Sequence, residues 1–384
     1  MANILLTGGR APAALELARL FRAAGHTVFM AESVRWPLAW PSRAVRRNHR
    51  VPAPNADPAG YIRALLNIVR RERIDLLVPT CEELFYVARG HAALSAECVV
   101  LAEPLERLRP LHNKWLFAQK AAGYGLPVPA TTLLTSPADL RAAMGSDGRE
   151  MVLKPVYSRF AARTLVRPSA REAAHVIPSA AEPWVAQDFI TGWQICTYSL
   201  ARAGRVLAHT AYPAELTAGQ GAALVFRHIE HPAACEWVRA FVARENFNGQ
   251  IAFDFIETGS GELFALECNP RATSGVHLLA ANPRFAGAFF DSPPELVTPP
   301  CAGRPAMLAA AMLLVALPAV RSFTALRAWA RAFAAARDVV FRLDDPAPAL
   351  LQWVGLANFL WWAARRHVSA VQASTLDIEW NGAA

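Results

Sequence analysis

Residues 253 to 271 read FDFIETGSGELFALECNPR. Two runs of alternating apolar and polar residues flank Thr258-Gly259-Ser260-Gly261, the composition of a hairpin turn. A turn there sets Glu257 against Glu262 and Asp254 against Ala265. In that register Glu267 lies diagonal to Asp254, with Asn269 one same-face step beyond. Phe253, Phe255, Phe264 and Leu266 are expected on the opposite, oily face. Two nearby carboxylates repel unless protonated, hydrogen-bonded or paired with cations. A hard divalent cation sharing their oxygens with phosphate would explain the convergence. A solvated polar sheet edge is the bland reading of the same residues.

The rest of the chain narrows the choice. Its 384 residues suit two or three domains, and 54% hydrophobic against 18% charged residues suits large cores. The net charge of +8 favours anionic ligands. Arg43, Arg46, Arg47 and Arg50 are the nearest approach to a basic cluster, so no nucleic-acid partner is expected. Of 39 Lys plus Arg, only Lys114, Lys120 and Lys154 are lysines. A chain that uses arginine for routine surface charge keeps lysine where a compact ammonium is useful. The six cysteines form no CxxC pair and no zinc spacing, and they read as reduced and buried. The start, MANILLTGG, carries no signal-peptide pattern, which suggests a cytoplasmic protein.

Three regions follow from periodicity and punctuation. Residues 1–110 alternate strand and helix: ILLT before Gly8-Gly9, a helix from about Pro12, HTVFMAE, a helix over 58–72, then IDLLVPT. That order predicts an α/β unit with a parallel sheet. The full GxGxxG spacing is absent, which argues against a nicotinamide site. Glu82 and Glu83 fall just past a strand, where open α/β sheets bind ligands or where a helix is capped. Residues 111–300 read as mixed α+β, with a helix over Asn113–Ala122, strands at MVLKPV and EPWVAQDFI, and hairpins around 202–205 and 258–261. Residues 301–384 read as a largely helical accessory region. The run 307–320 is too short to span a membrane and is expected to be a core helix. With Trp329, Trp353, Trp361 and Trp362 beyond it, peripheral membrane contact stays open.

The ordered set NK at 113–114, VLKP at 152–155, VAQDFITGWQ at 185–194, and FDF then LECNPR at 253–271 resembles the ATP-grasp superfamily. The likeness extends to its carbamoyl-phosphate-synthase-like and amino-acid-ligase branches and covers about residues 1–300. It implies an ATP-grasp fold in which Asp254, Glu267 and Asn269 hold magnesium, or manganese in its place, around the ATP phosphates, with two metal ions. It implies that Lys114 and Lys154 contact phosphate groups. Arg271 then faces the transferred phosphoryl group or acyl intermediate, which makes Arg271 and Lys154 the catalytic candidates. Gln187 matches a position near the adenine amino group, Asp188, Phe189 and Ile190 the hinge backbone, and Gln194 a ribose position. Both glutamines stand where Glu is familiar.

The phosphate flap departs further, because PVYSRFAARTLVRP (155–168) has no glycine. Ser158, Arg159 and Arg163 are its anion-reaching side chains. His209 lies where related enzymes can present a base, although a satisfied core histidine explains it as well. The implied activity is ATP-dependent ligation of a small carboxylate and an amine, amino acids among them, through an acyl phosphate. Bicarbonate activation, simple phosphorylation, or a non-catalytic ATP-binding role are the alternatives. The chain is also compatible with a homodimer.

Overall fold

The computed structural model describes residues 1–145, 149–158, 163–217, 223–291 and 293–382. Five parallel strands open it: β1 (Asn3–Thr7), β2 (Thr27–Glu32), β3 (Arg47–Arg50), β4 (Leu76–Val78) and β5 (Val99–Val100), in the order β3-β2-β1-β4-β5. Strands β1 and β2 are apolar nearly throughout because helices cover both faces of a parallel sheet. The crossover helix Pro58–Glu72 starts where Asp57 accepts from Gly60 N at 2.8 Å, and it ends on Arg73 in a left-handed conformation.

The strand order reverses beside β1, so the loops after β1 and β4 bound a crevice. Glu83 ties those loops together. Its Oε1 accepts from Thr7 Oγ1 at 2.7 Å and from the backbone N–H of Thr80 and Cys81 at 3.0 Å each. Gly8, at φ 72°, is required there, since a Cβ would fall 2.5 Å from Thr80 Oγ1.

Two antiparallel sheets follow. The first is β6 (Thr131–Leu134), β7 (Met151–Pro155), β8 (Leu165–Val166) and β9 (Trp184–Asp188), ordered β6-β9-β7-β8. The second is β10 (Trp193–Arg202) and β11 (Arg205–Pro213) with β14 (Gly249–Glu257) and β15 (Leu263–Asn269), ordered β11-β10-β14-β15. Between these in sequence come β12 (Glu215–Thr217) and β13 (Ala223–Phe226), which join β16 (Ala306–Met307) and β17 (Arg337–Asp338) in a small sheet. The helix Pro232–Glu245 backs the second large sheet. Its Trp237 meets Phe253 and Phe255 edge-on at 5.0 and 5.2 Å between centroids.

The region after residue 300 is largely helical, as the sequence predicts, but the run expected as a core helix over 307–320 is an irregular helix over 309–319 that is mostly not buried. Met307 joins β16, Ala309–Ala311 makes one helical turn, Met312–Ala316 a π-turn, and Leu317–Ala319 a 3₁₀ turn. Pro318 has no N–H to continue a helix. Met312 is buried while Leu313, Leu314 and Val315 are exposed. The longest helix is Ala347–Arg366.

Beyond it the chain returns to the first sheet. Trp380 stacks on Phe85 at 4.7 Å, and Tyr86 Oη donates to Glu379 O at 2.8 Å. Arg10 is buried between Glu32 and Asp377.

Candidate active site

The hairpin that decides the fold differs from its sequence reading by one residue at the turn and one bulge. The turn includes Glu262, whose carbonyl accepts from Thr258 N at 2.9 Å, so Glu257 pairs with Leu263 and Phe255 with Ala265. The ladder then shifts between Asp254 and Phe255, and Asp254 pairs directly with Glu267. Phe264 and Leu266 therefore leave the Phe253/Phe255 face, which Leu263, Ala265 and Cys268 complete as buried core. Cys268 is packing, as its alternation suggests.

The two carboxylates titrate apart. Burial, then the neighbouring Glu267 charge, pushes Asp254 well above the ordinary carboxylate range. Burial also opposes ionisation of Glu267, but Lys114 and then Lys154 outweigh it and hold that group low. Asn269 bridges the pair, with Nδ2 3.4 Å from both Asp254 Oδ2 and Glu267 Oε1. Its Oδ1 accepts from Arg271 Nη2 at 3.1 Å. Arg271 also donates to Ala272 O at 3.1 Å.

Lys114 is the first residue of the helix Lys114–Gly123, which Asn113 caps by accepting from Leu116 N at 2.9 Å. A cation at a helix N-terminus opposes the helix dipole and gains from an anion. Here its ammonium lies 3.5 Å from Glu267 Oε2 and donates to Ser158 O at 3.2 Å. Lys154, on β7, donates to Gln187 Oε1 at 2.9 Å and to Leu266 O at 3.4 Å. Burial lowers its pKa to about 8; the Glu267 charge opposes that shift and Lys114 adds to it. Gln187 gives Lys154 a neutral partner, and its own Nε2 donates to Thr131 Oγ1 at 3.1 Å.

The structure thus gathers Lys114, Lys154, Gln187, Asp254, Glu267, Asn269 and Arg271 in one connected cluster. The other candidates stand at its edge. Asp188 pairs with Arg149 at 2.5 Å, and the N–H groups of Asp188 and Phe189 donate to Ala130 O and Glu150 O. Ile190 follows directly. Gln194 is exposed and lies two residues from Cys196 on the face of β10 that meets Asp254. In the flap, Arg163 pairs with Glu182 and sits 5.0 Å over the Trp184 ring. Arg163 and Arg167 adopt φ of 62° and 49°, a left-handed backbone that glycine would take without strain. Arg159 lies outside the described residues.

His209 is turned away from the cluster. It pairs with Ser199, whose hydroxyl is 2.8 Å from Nδ1, one residue out of phase with Cys196 and Tyr198. Sequence reading gave Cys196 no role, yet it sits across from Asp254. Burial, then the Asp254 charge, pushes its thiol far up, so it is no nucleophile. The period-2 spacing from Gln194 was the available signal.

A cation suits this donor set in part. Among the described residues no cluster of three or more His, Cys, Asp or Glu forms a metal cage. The site offers two carboxylates and one amide, so phosphate oxygens and water would complete the shell. Asn269 would turn its amide over to ligate, because its oxygen now faces Arg271.

No protein-family model and no curated protein matches the chain. Solved structures do. N5-Carboxyaminoimidazole synthetase from Staphylococcus aureus, complexed with ADP, matches with TM-score 0.64 and 12% identity over 83% of this chain and 85% of that one. The biotin carboxylase domain of Hydrogenobacter thermophilus 2-oxoglutarate carboxylase, with MgADP and bicarbonate, gives 0.60 and 12% over 77% and 71%. An L-amino acid ligase from Bacillus licheniformis gives 0.56 and 16% over 71% and 67%. The fold of this chain is the ATP-grasp fold.

Proposed function

We propose that the chain is an ATP-dependent carboxylate–amine ligase that forms an amide or peptide bond in a small molecule, releasing ADP and phosphate. One observation carries this reading. Lys114 and Lys154 converge from different elements on a carboxylate pair that is electrostatically strained when alone. Such a site gains from a ligand that brings cations to its acids and phosphates to its lysines.

Asp254, Glu267 and Asn269 would hold magnesium, one ion or two, and manganese would satisfy the same oxygens. When bound, the ion supplies positive charge that offsets the charge of the transferred phosphoryl group. Lys114 and Lys154 contact phosphate, and their compact ammonium groups follow it without a fixed fork. Gln187 keeps Lys154 in place and presents its amide toward the adenine, with the 188–190 backbone as hinge and Gln194 at the ribose. Arg271 stabilises the developing acyl phosphate, whose carbonyl carbon the amine then attacks. No side-chain nucleophile is required.

The test is mass spectrometry of reactions with ATP, magnesium, amino-acid carboxylates and a varied amine pool. A condensed product with ADP, absent in Asp254→Ala, supports ligation. ADP without condensation moves the assignment to phosphorylation or bicarbonate activation. ATP binding with no ADP above the Asp254→Ala control moves it to a binding protein, the reading that the glycine-free flap favours.

A further inference from the structure

A cavity of about 800 Å³ lies between residues 36–41 and the helices that follow residue 300. Trp36 and Trp40 form one wall, Leu308, Ala310, Leu314 and Val315 another, and Leu351, Leu356 and Phe359 of the helix Ala347–Arg366 a third. Arg163 and Thr164, at the end of the segment that follows Lys154, complete it. It therefore shares a wall with the phosphate flap.

Arg163, half exposed beside Glu182, is the charged group that an occupant can reach, whereas Arg10, Gln352 and Gln372 bond within the protein. Arg10 gives its donors to Glu32, Ser33, Asp377 and Ser374 O. Gln352 donates to Ala349 O at 2.9 Å, and Gln372 accepts from Ser369 N at 3.0 Å. Besides Arg163, what remains for an occupant is aliphatic and aromatic surface, in a volume typical of small-molecule sites.

The cavity is open along one edge. Leu314, Val315, Leu351 and Val354 line it and are 52, 44, 40 and 46% exposed. The outer surface of the same elements continues apolar, with Leu313, Leu350, Trp353, Leu360 and Trp361 all exposed. Arg365 and Arg366 lie 5.1 Å over the rings of Trp361 and Trp362. Residues 306–366 hold seven arginines and three aspartates. Aromatic rings and snorkelling arginines around an aliphatic surface suit the headgroup boundary of an anionic bilayer. No helix among the described residues is long and apolar enough to cross a membrane, so contact would be at the surface.

We propose that this cavity takes the hydrocarbon tail of an amphiphilic substrate drawn from an anionic lipid surface, with its polar end toward Arg163 and the flap. The inference rests on the ligase reading only for the fate of that polar end.

The experiment is a titration of the fluorescent fatty acid cis-parinaric acid into the full chain, paired with sedimentation on phosphatidylglycerol and on phosphatidylcholine vesicles. Saturable binding at micromolar probe is expected, weakened at least tenfold by Ala310→Trp and by Leu356→Glu. Both variants should bind MgATP as the parent does, which shows that they fold. Sedimentation with phosphatidylglycerol but not phosphatidylcholine is expected, and Trp361→Glu should abolish it. Absent saturation, or binding unchanged in both variants, overturns the cavity assignment. Self-association of the parent that Trp361→Glu abolishes, without vesicle binding by the parent, assigns the surface to a second copy and overturns the lipid source. ADP release reads the other site. Probe binding without ADP release sinks the ligase reading and leaves the cavity, and the reverse result does the opposite.

Discussion

Asp254 and Glu267 lie directly across β14 and β15 because the ladder slips by one residue between Asp254 and Phe255. Without that bulge the same turn would set Asp254 against Leu266 and put Glu267 on the opposite, oily face beside Phe253. Direct pairing makes the empty site costly to ionise and gives a ligand-binding site its driving force.

The first expectation concerns that cost. Burial and Glu267 raise the folded-state pKa of Asp254 above its unfolded value. The folded state then binds the extra proton, so this group's contribution to stability is present at low pH and is lost as pH rises through the raised value. Asp254→Asn removes the penalty. We expect the nucleotide-free variant to be more stable than the parent at pH 8, by about 1–2 kcal/mol, with magnesium-dependent ADP release lost. Thermal melts with and without MgATP check both halves. A variant that melts below the parent at pH 8 would contradict the strained pair.

Much of this was legible in the sequence, and the misses have physical causes. Lysine scarcity singled out Lys114 and Lys154, and strand alternation put Asp254, Glu267 and Asn269 on one face. Alternation does not fix the length of a turn, and the one-residue-longer turn moved Phe264 and Leu266 to the other face. The parallel sheet was legible because strands and helices alternate along residues 1–110. The 307–320 run misled because apolarity alone does not separate core from exposed surface. The return of Trp380 to Phe85 depends on contacts between distant residues, which no local pattern carries.

Lys154 gives the second expectation. Its folded pKa, about 8, lies below the usual lysine value because burial disfavours the charge. The unfolded chain therefore holds the proton more tightly, and stability from this group rises with pH from about 8 upward. Below that window the penalty is present in full. Lys154→Met should raise nucleotide-free stability at pH 7 by about 1–3 kcal/mol while weakening ATP binding at least tenfold. Calorimetric ATP titration beside thermal melts reads both. Unchanged ATP affinity would remove Lys154 from the site.

His209 provides a test away from the chemistry. Burial drives its pKa down to about 3, with His228 and then Arg239 adding to the shift. Its Nε2 has no hydrogen-bond partner among the described residues. The folded state keeps it neutral while the unfolded chain protonates it near 6.5, so stability is lost as pH falls from that value toward 3. At pH 4 this amounts to about 2–4 kcal/mol. His209→Gln should lose less stability than the parent between pH 7 and 4 and should leave MgATP affinity unchanged. Parallel pH-dependent melting curves would refute the buried neutral histidine, and a loss of ATP affinity would put His209 back in the site.

Arg10 holds the chain's end against its beginning. It leaves the loop after β1, is almost fully buried, and pairs with Glu32 on one side and Asp377 on the other, while Ser33 Oγ reaches Asp377 Oδ2 at 2.5 Å. Removing one member of a buried charge set leaves the others unpaired in a poor solvent, at a cost of about 3–5 kcal/mol. Arg10→Met strands two carboxylates, whereas Asp377→Asn strands none and keeps Ser33 and Arg10 bonded. We therefore expect Arg10→Met to destabilise the chain far more than Asp377→Asn, although both remove the Arg10–Asp377 ion pair. Arg10→Met should also free the segment around Trp380 for limited proteolysis. Protease mapping with denaturant melts distinguishes this from a simple loss of tether, for which the two substitutions would cost the same.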